Sequence, residues 1–173
     1  MNILVDADGS RRIDLVEKVA SRFGIPVILF CDESRELQST YSQVVYCAVA
    51  NDSADIALFN HCKKGDIVVT RDIGLAGITL GKGARVIHES GRIMNNKTID
   101  RELGRRAVLQ KMRRNTKHAA KANKVRFEAG KEPKYNFYGN LVMLLKQSTK
   151  AQKPSETDHE NLAENPHTEA QAV

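Results

Sequence analysis

The sequence predicts an α/β protein with a Rossmann-like three-layer architecture, in which helices cover both faces of a mainly parallel sheet. Short apolar runs, typical of buried strands, alternate along the chain with stretches of helical periodicity. The chain has 173 residues, of which 41% are hydrophobic, so it is large enough to bury one core. We therefore expect a single α/β domain over residues 1–147, with right-handed crossovers between its strands.

The first half of the chain predicts three strands and two helices. The strands are apolar and rich in β-branched residues, and they are Ile3–Val5, Pro26–Cys31 and Gln43–Val49. An amphipathic helix is expected from about Ser10 to Phe23, where Gly24 ends it. A second helix is expected from Asn51 to Lys64, because its start is rich in capping residues.

The second half predicts strands at Ile67–Thr70 and Ala84–His88, with a short helix near Ile73–Leu80 between them. A long helix follows from Thr98 to about Lys124, and an apolar segment at Tyr135–Lys146 is expected to pack on the sheet. Residues 148–173 lack apolar periodicity and become acidic, which predicts a disordered tail.

Several classes of protein are disfavoured by the sequence. No G-x-G-x-x-G motif follows a strand, so we expect no dinucleotide cofactor. The apolar runs are much shorter than the roughly 20 residues that cross a bilayer, and the N-terminus lacks the features of a secretory signal. A cytoplasmic protein without membrane association is expected.

Cys31, Cys47 and Cys62 are expected to be buried free thiols, because their spacing fits neither a zinc site nor a disulfide framework.

Aspartates follow three of the predicted strands, at the edge where open α/β sheets bind ligands. The residues are Asp6 and Asp8 after the first strand, Asp52 and Asp55 after the third, and Asp72 after the fourth. If these strands are neighbours, the carboxylates meet at one rim and repel one another unless a cation joins them. Mg²⁺ or Mn²⁺ is the expected cofactor, because both ions prefer oxygen ligands.

Each aspartate also has a structural interpretation. Asp52 and Asp72 precede helices and are candidates for helix capping. Asp8 is a candidate turn residue before Gly9, and Asp55 a candidate solvated helix residue.

The motifs Val5-Asp6-Ala7-Asp8, Asp52-Ser53-Ala54-Asp55 and Thr70-Arg71-Asp72-Ile73-Gly74-Leu75-Ala76 together resemble the YaiI/YqxD family of bacterial proteins. The resemblance covers about residues 1–147 and implies a PIN-like fold, whose better-known members are metal-dependent ribonucleases. Members of the family usually continue the first motif with Cys-Pro, whereas this chain has Gly9-Ser10.

The resemblance implies a metal site formed by Asp6, Asp8, Asp52, Asp55 and Asp72, with Asp6, Asp8 and Asp72 as the catalytic residues. The expected reaction is hydrolysis of RNA phosphodiesters by a metal-activated water. Ser10 and Thr70 are candidates to hydrogen-bond a phosphate, and ordinary capping is the alternative for both.

A basic segment supports a nucleic-acid partner. Residues 101–126 contain ten Lys and Arg residues and a single acidic one, Glu102, although the formal charge of the whole chain is only +6. Such a run is typical of a surface that binds a phosphate backbone, and a solvated helix is the alternative. We expect RNA in preference to DNA, and the candidate contacts are Arg105, Arg106, Lys111, Arg113, Arg114 and Lys117.

Two other functions remain open at the level of sequence. Asp6-Ala7-Asp8-Gly9-Ser10 also looks like the opening motif of haloacid-dehalogenase-type phosphatases, in which Asp6 would be a covalent nucleophile. Gly65-Asp66 together with Asp72 faintly resembles the later acidic motif of the same phosphatases. Asp66, however, is predicted at the start of its strand, away from the ligand-binding rim. The other alternative is a metal- and RNA-binding protein without catalytic turnover. The sequence does not predict the oligomeric state.

Overall fold

The computed structural model of the chain describes residues 1–50, 52–114 and 135–151. These residues form six strands: β1 (Ile3–Asp6), β2 (Val27–Asp32), β3 (Gln43–Cys47), β4 (Ile67–Thr70), β5 (Arg85–His88) and β6 (Ile93–Met94). They also form five helices: α1 (Ile13–Phe23), α2 (Ser53–His61), α3 (Ile73–Gly81), α4 (Asn96–Arg114) and α5 (Phe137–Ala151).

The strands form one sheet in the order β3-β2-β1-β4-β5-β6. All neighbouring strands are parallel except β6, which pairs with β5 in the antiparallel direction. Ile3, Leu4 and Val5 of the central strand β1 are completely buried, as expected for a strand that is covered on both faces. The predicted α/β class and Rossmann-like architecture are confirmed.

Helices cover the two faces of the sheet and create two cores. On one face, α1 and α5 pack on the sheet through residues such as Val16, Val19 and Leu141. On the other face, α2, α3 and α4 pack through residues such as Leu58, Leu75 and Ile99. The expected packing of the last apolar segment on the sheet is confirmed, and the three cysteines are buried free thiols as predicted.

The predicted elements are present, but several bounds differ. Helix α1 begins at Ile13, three residues later than predicted, because the Ser10 amide donates to the Ala7 carbonyl in a turn over residues 7–10. Helix α2 spans Ser53–His61 rather than 51–64, because the Lys63 amide donates to Asp66 in the turn that precedes β4. Strand β6 was not predicted, since two residues are too few to show a period.

Helix α4 begins at Asn96, two residues before the predicted start. Asn95 and Thr98 cap it reciprocally: the Thr98 amide donates to Asn95 Oδ1 at 3.0 Å, and the Asn95 amide donates to Thr98 Oγ1 at 2.8 Å. The part of the predicted helix beyond Arg114 lies outside the described residues.

Helix α5 continues to Ala151, so helical structure extends beyond Ser148, where the sequence predicts a disordered tail to begin. Arg85 helps to hold this end of the helix, because its Nη1 donates to the Leu144 carbonyl at 3.0 Å and to Ser148 Oγ at 2.6 Å. Residues 152–173 lie outside the described residues. Within the described ranges, we find no helix long and apolar enough to span a membrane.

Candidate active-site cleft

The strand order reverses direction at β1 and β4, because β2 and β3 lie on one side of β1 and the later strands on the other. Open α/β sheets bind ligands at the carboxyl ends of the strands at this switch point. Asp6 ends β1 and Thr70 ends β4, and Thr70 Oγ1 donates a hydrogen bond of 2.8 Å to Asp6 Oδ2. The Asp72 amide donates in turn to Thr70 Oγ1 at 2.9 Å, so one hydroxyl connects the two aspartates.

An open cleft of about 510 Å³ lies directly at this switch point. Its acidic lining consists of six aspartates, Asp6, Asp8, Asp32, Asp52, Asp55 and Asp72. Its basic lining consists of Arg71, His88 and Arg106. All five aspartates that the sequence indicates therefore face one space, although they come from three separate segments of the chain.

Asp8 and Asp32 belong to the β1–α1 and β2 sides of the cleft. The Asp32 amide donates to both carboxylate oxygens of Asp8, at 3.1 and 3.2 Å. The carboxylate of Asp32 accepts from the Ser34 amide at 2.8 Å. Asp8 thus connects the turn after β1 to the end of β2. Its side chain therefore has a contact outside its own turn, in addition to its position in the cleft.

Asp52 and Asp55 reach the cleft from the start of α2. Asp52 has φ 60° and ψ 14°, the left-handed conformation, and its side chain makes no capping hydrogen bond to the helix. Within the described residues, no other non-glycine residue has a positive φ. Because the side chain makes no capping hydrogen bond, the capping interpretation of Asp52 is wrong. A strained backbone of this kind is often found at functional sites, which agrees with the position of Asp52 in the cleft.

Asp72 combines a structural role with a position in the cleft. Its Oδ1 accepts from the amides of Gly74 and Leu75, and from Leu75 the distance is 3.1 Å. It is therefore the N-cap of α3, as one interpretation of the sequence expects. Since capping uses one oxygen of the carboxylate, the cap and a cleft function are compatible in the same residue.

Burial and the negative charge of neighbouring carboxylates both act on the acidic residues of the cleft. Burial raises the pKa of Asp55 from 3.8 to about 6, and the negative charges of Asp6, Asp72, Asp52 and Asp8 contribute to the rise. Burial also raises the pKa of Asp6; the Thr70 hydrogen bond opposes this rise, while Asp8 and Asp72 add to it. Mutual repulsion thus destabilises the fully ionised cleft.

The donors in the cleft fit a hard divalent cation. They are carboxylate oxygens, which Mg²⁺ and Mn²⁺ prefer, and an open cavity leaves room for the waters that Mg²⁺ usually keeps. Among the residues that the structure describes, however, no three acidic, histidine or cysteine side chains already form a compact metal-ligand group. Binding an ion would therefore require the carboxylates to move closer together.

Arg71 crosses the mouth of the cleft. Its Nη1 donates to the Gly9 carbonyl at 2.8 Å, and its Nε lies 3.6 Å from the carboxylate of Glu89. Glu89 also accepts from the Arg11 amide at 2.6 Å, which links it to the loop after β1. The guanidinium is held in place while its side chain remains 53% exposed, an arrangement that suits binding of an anion from solvent.

The predicted substrate-binding residues differ in their positions relative to the cleft. Arg106 lines the cleft, as the sequence indicates. Ser10 and Thr70 are buried and lie outside its lining: Ser10 Oγ accepts from the Arg12 amide, and Thr70 orients Asp6. Arg105 is paired with the buried Glu102 at 2.8 Å and does not line the cleft, so its contact with substrate stays a prediction.

The remaining candidates lie toward the end of the basic segment. Lys111 is exposed on α4 but does not line the cleft. Arg113 and Arg114 belong to α4, and their side chains are outside the described part of the chain, as is Lys117 altogether.

Three ionisable residues of the cleft lining are absent from the predicted site. Asp32 ends β2, so the rule that identifies acidic residues after strands applies to it as well. Arg71 lies within the third family motif and is visible in the sequence as a cation beside Asp72. His88 ends β5, and its Nδ1 accepts from the Ser90 amide at 3.0 Å, which places the proton of the neutral ring on Nε2.

The fold and the cleft together define a Rossmann-like α/β protein with an acidic site at the sheet switch point. A sequence model of the uncharacterised YaiI/YqxD family of bacterial proteins matches residues 4–147. The chain therefore belongs to this family. No solved structure matches the chain.

Curated relatives agree with this assignment. A UPF0178 protein of Clostridium tetani is 39% identical over 150 residues, which cover 87% of this chain and 100% of the relative. A UPF0178 protein of Clostridium acetobutylicum is 46% identical over 114 residues, which cover 66% of this chain and 77% of the relative. A UPF0178 protein of Ruminiclostridium cellulolyticum is 48% identical over 114 residues, 66% of this chain and 74% of the relative.

Proposed function

We propose that the protein is a divalent-metal-dependent nuclease that hydrolyses RNA phosphodiesters. The observation that carries the proposal is the meeting of six aspartates in one cleft at the switch point of the sheet. Burial, together with repulsion among the carboxylates, raises the pKa values of Asp6 and Asp55, and both effects favour occupation of the cleft by a cation. The open shape of the cleft suits a polymer that passes across it.

Asp6, Asp8, Asp52, Asp55 and Asp72 would hold Mg²⁺ or Mn²⁺ in this proposal. When bound, such an ion lowers the pKa of a water and offsets negative charge on a phosphate. The protein itself contributes position: Thr70 holds the Asp6 carboxylate through Oδ2, and the cap of α3 holds Asp72 through Oδ1. These anchors reduce the loss of side-chain entropy when the ligands converge.

Arg71 and Arg106 would bind the phosphate from the two sides of the cleft opening. A guanidinium matches the geometry of phosphate oxygens and stays charged at every physiological pH. Arg71 is already fixed by Gly9 and Glu89, and Arg106 projects from the basic helix α4. Further cations of α4 would extend this attraction along the nucleic-acid backbone, so binding should weaken as salt concentration rises.

The phosphatase alternative receives less support from the geometry. The carboxylate of Asp66 is buried at the amino-terminal ends of the strands, opposite the cleft. It accepts hydrogen bonds from the amides of Asn2 at 2.8 Å and Lys63 at 2.9 Å. It therefore ties two backbone segments together and takes no part in the cleft. Binding without turnover remains the alternative that the experiment below must separate from nuclease activity.

The proposal is tested with a labelled single-stranded RNA, incubated with the full-length chain and Mn²⁺. We expect cleavage by the wild-type protein and at least a hundredfold loss in Asp6→Asn and Asp72→Asn. Asparagine keeps an oxygen that can accept the Thr70 and helix-capping hydrogen bonds, so both variants should stay folded. Asp100→Asn is the matched control, because Asp100 is exposed on α4 and does not line the cleft.

Isothermal calorimetry with Mn²⁺ provides a second, independent readout. Wild-type protein without measurable affinity for Mn²⁺ or Mg²⁺ would overturn the metal site. Salt-sensitive RNA binding without cleavage under either ion would overturn the nuclease and support the binding protein. Release of phosphate from small phosphoesters with a covalent adduct at Asp6 would instead support the phosphatase.

A further inference from the structure

An apolar groove of about 380 Å³ lies between α2 and α3, beside the acidic cleft. Its apolar walls are formed by Ile56, Phe59, Leu75 and Ile78. Ile56 is 58% exposed and Ile78 is 51% exposed, although both helices bury other apolar residues in the core. Exposed apolar surface that forms a groove is a common feature of ligand-binding sites.

The groove and the cleft share one wall. Asp52, Asp55 and Asp72 line both spaces, so a ligand that occupies the cleft can continue into the groove without a gap. The groove therefore combines apolar side chains with hydrogen-bond acceptors on the wall that it shares with the cleft. A fitting occupant is flat and apolar, has N–H donors on one edge, and is attached to an anionic phosphate.

The floor of the groove is fixed before any ligand arrives. Lys82 Nζ lies 3.8 Å from the centre of the Phe59 ring and donates to the Phe59 carbonyl at 2.6 Å. These contacts hold Phe59 at the end of α2. Leu75 is buried and belongs to the core beneath α3, so it also has little freedom. A prearranged apolar surface loses little entropy on binding.

On these grounds we infer that the groove between α2 and α3 binds one nucleobase of the RNA, next to the phosphate held in the acidic cleft. This inference rests on the proposed function, since it assigns the base subsite of the same site. Exocyclic amino groups of a base meet the carboxylates, and its faces contact Ile56 and Ile78. A base reaches such a groove only when it is unpaired and unstacked, so the substrate is single-stranded.

The test compares the double variant Ile56→Ala/Ile78→Ala with wild type in the full-length chain. The affinity for a short single-stranded RNA is measured in Mn²⁺ by stopped-flow fluorescence anisotropy, before turnover. We expect the apparent Kd of the variant to rise about 5- to 50-fold, within the range for loss of one base contact. Met143→Ala is the matched control, because Met143 is 42% exposed on α5, on the opposite face of the sheet.

A second substrate sharpens the comparison. A scan of oligonucleotides with one abasic position should contain one position that weakens wild-type binding by a similar factor and leaves the double variant unchanged. A double variant that binds every RNA as tightly as wild type, or equal binding of duplex and single strand by wild type, would overturn the base subsite and leave the nuclease standing. Absence of both Mn²⁺ and RNA binding in wild type would overturn both.

Two readouts separate other occupants of the groove. Truncation of exposed Ile56 and Ile78 should change the melting temperature by only a few degrees and leave the oligomeric state unaltered. A large loss of thermal stability in the double variant would show that another part of this chain fills the groove. A dimer that dissociates on truncation would show that a second copy fills it. Either result would overturn the base subsite.

Discussion

Replacement of Asp55 by asparagine tests whether burial and the neighbouring carboxylates make ionisation of Asp55 unfavourable in the folded protein. Burial and four neighbouring aspartates raise the pKa of Asp55 from 3.8 to about 6. Each factor of ten in acid dissociation corresponds to about 1.36 kcal/mol, so ionisation of Asp55 costs the folded state up to about 3 kcal/mol. Asp55 is only partly buried in an open cleft, and solvent screening reduces this cost to about 1 to 2 kcal/mol.

The sign of the pH dependence follows from the raised pKa. The folded chain holds the Asp55 proton more tightly than the unfolded chain, so it binds more protons between pH 3.8 and about 6. The stability of the wild type therefore falls as pH rises through this window. Asp55→Asn lacks this loss, and we expect it to be about 1 to 2 kcal/mol more stable than wild type at neutral pH, but nearly equal to wild type at low pH.

Urea denaturation without divalent ions, followed by circular dichroism at acidic and at neutral pH, measures the difference. The control Asp100→Asn should change the free energy of unfolding by less than about 0.5 kcal/mol at both pH values. Addition of Mn²⁺ should then stabilise the wild type more than Asp55→Asn. The reasoning would be refuted if the wild type and Asp55→Asn differed by the same amount at both pH values.

Three further variants test other parts of the structure. Asp52→Gly should raise the free energy of unfolding by about 0.5 to 1 kcal/mol in urea denaturation, because glycine adopts a positive φ freely, while calorimetry shows weaker Mn²⁺ binding. Asp66→Ala should lower it by about 2 to 3 kcal/mol, because two backbone amides lose their acceptor, without changing the Mn²⁺ affinity of the folded protein. Glu102→Ala should lower it by about 3 kcal/mol in thermal denaturation, because the buried Arg92 loses a carboxylate at 3.1 Å.

Each of these predictions has a contrary outcome. A less stable Asp52→Gly would mean that the aspartate side chain stabilises its turn. Loss of Mn²⁺ binding in a folded Asp66→Ala would contradict the separation of Asp66 from the cleft. A stable Glu102→Ala would show that Arg92 finds another partner easily.

The sequence was sufficient to predict the framework of the fold. Continuous apolar runs such as Ile3–Val5 indicate strands buried on both faces, and Gly24 marks the end of α1 with φ 63°. The rule that ligands bind after the strands was sufficient to predict that Asp6, Asp55 and Asp72 lie in one cleft. These predictions depend only on the local pattern of apolar residues and glycines, and on the general rule that ligands bind at the carboxyl ends of parallel strands.

Side-chain roles depend on contacts between distant segments, and the sequence does not encode them locally. Glu102 and Arg105 are three residues apart on one helix, so their pairing is visible in the sequence, but the burial of Glu102 beside Arg92 and the position of Arg106 in the cleft are not. Thr70 orients Asp6 across 64 residues of chain, a contact that only the pairing of β1 with β4 creates. Asp32 needs no distant contact to be predicted, because it directly follows the apolar run of β2, where the same rule indicates ligand-binding residues.

The pairing of β4 with β1 also has a consequence for the newly synthesised chain. The N-terminal segment leaves the ribosome first, and β1, β2 and β3 can already pair with one another at that stage. Asp72 and the hydroxyl that orients Asp6 join only after β4 has been translated and inserted beside β1. A nascent chain therefore carries an incomplete acidic cleft until translation has passed β4.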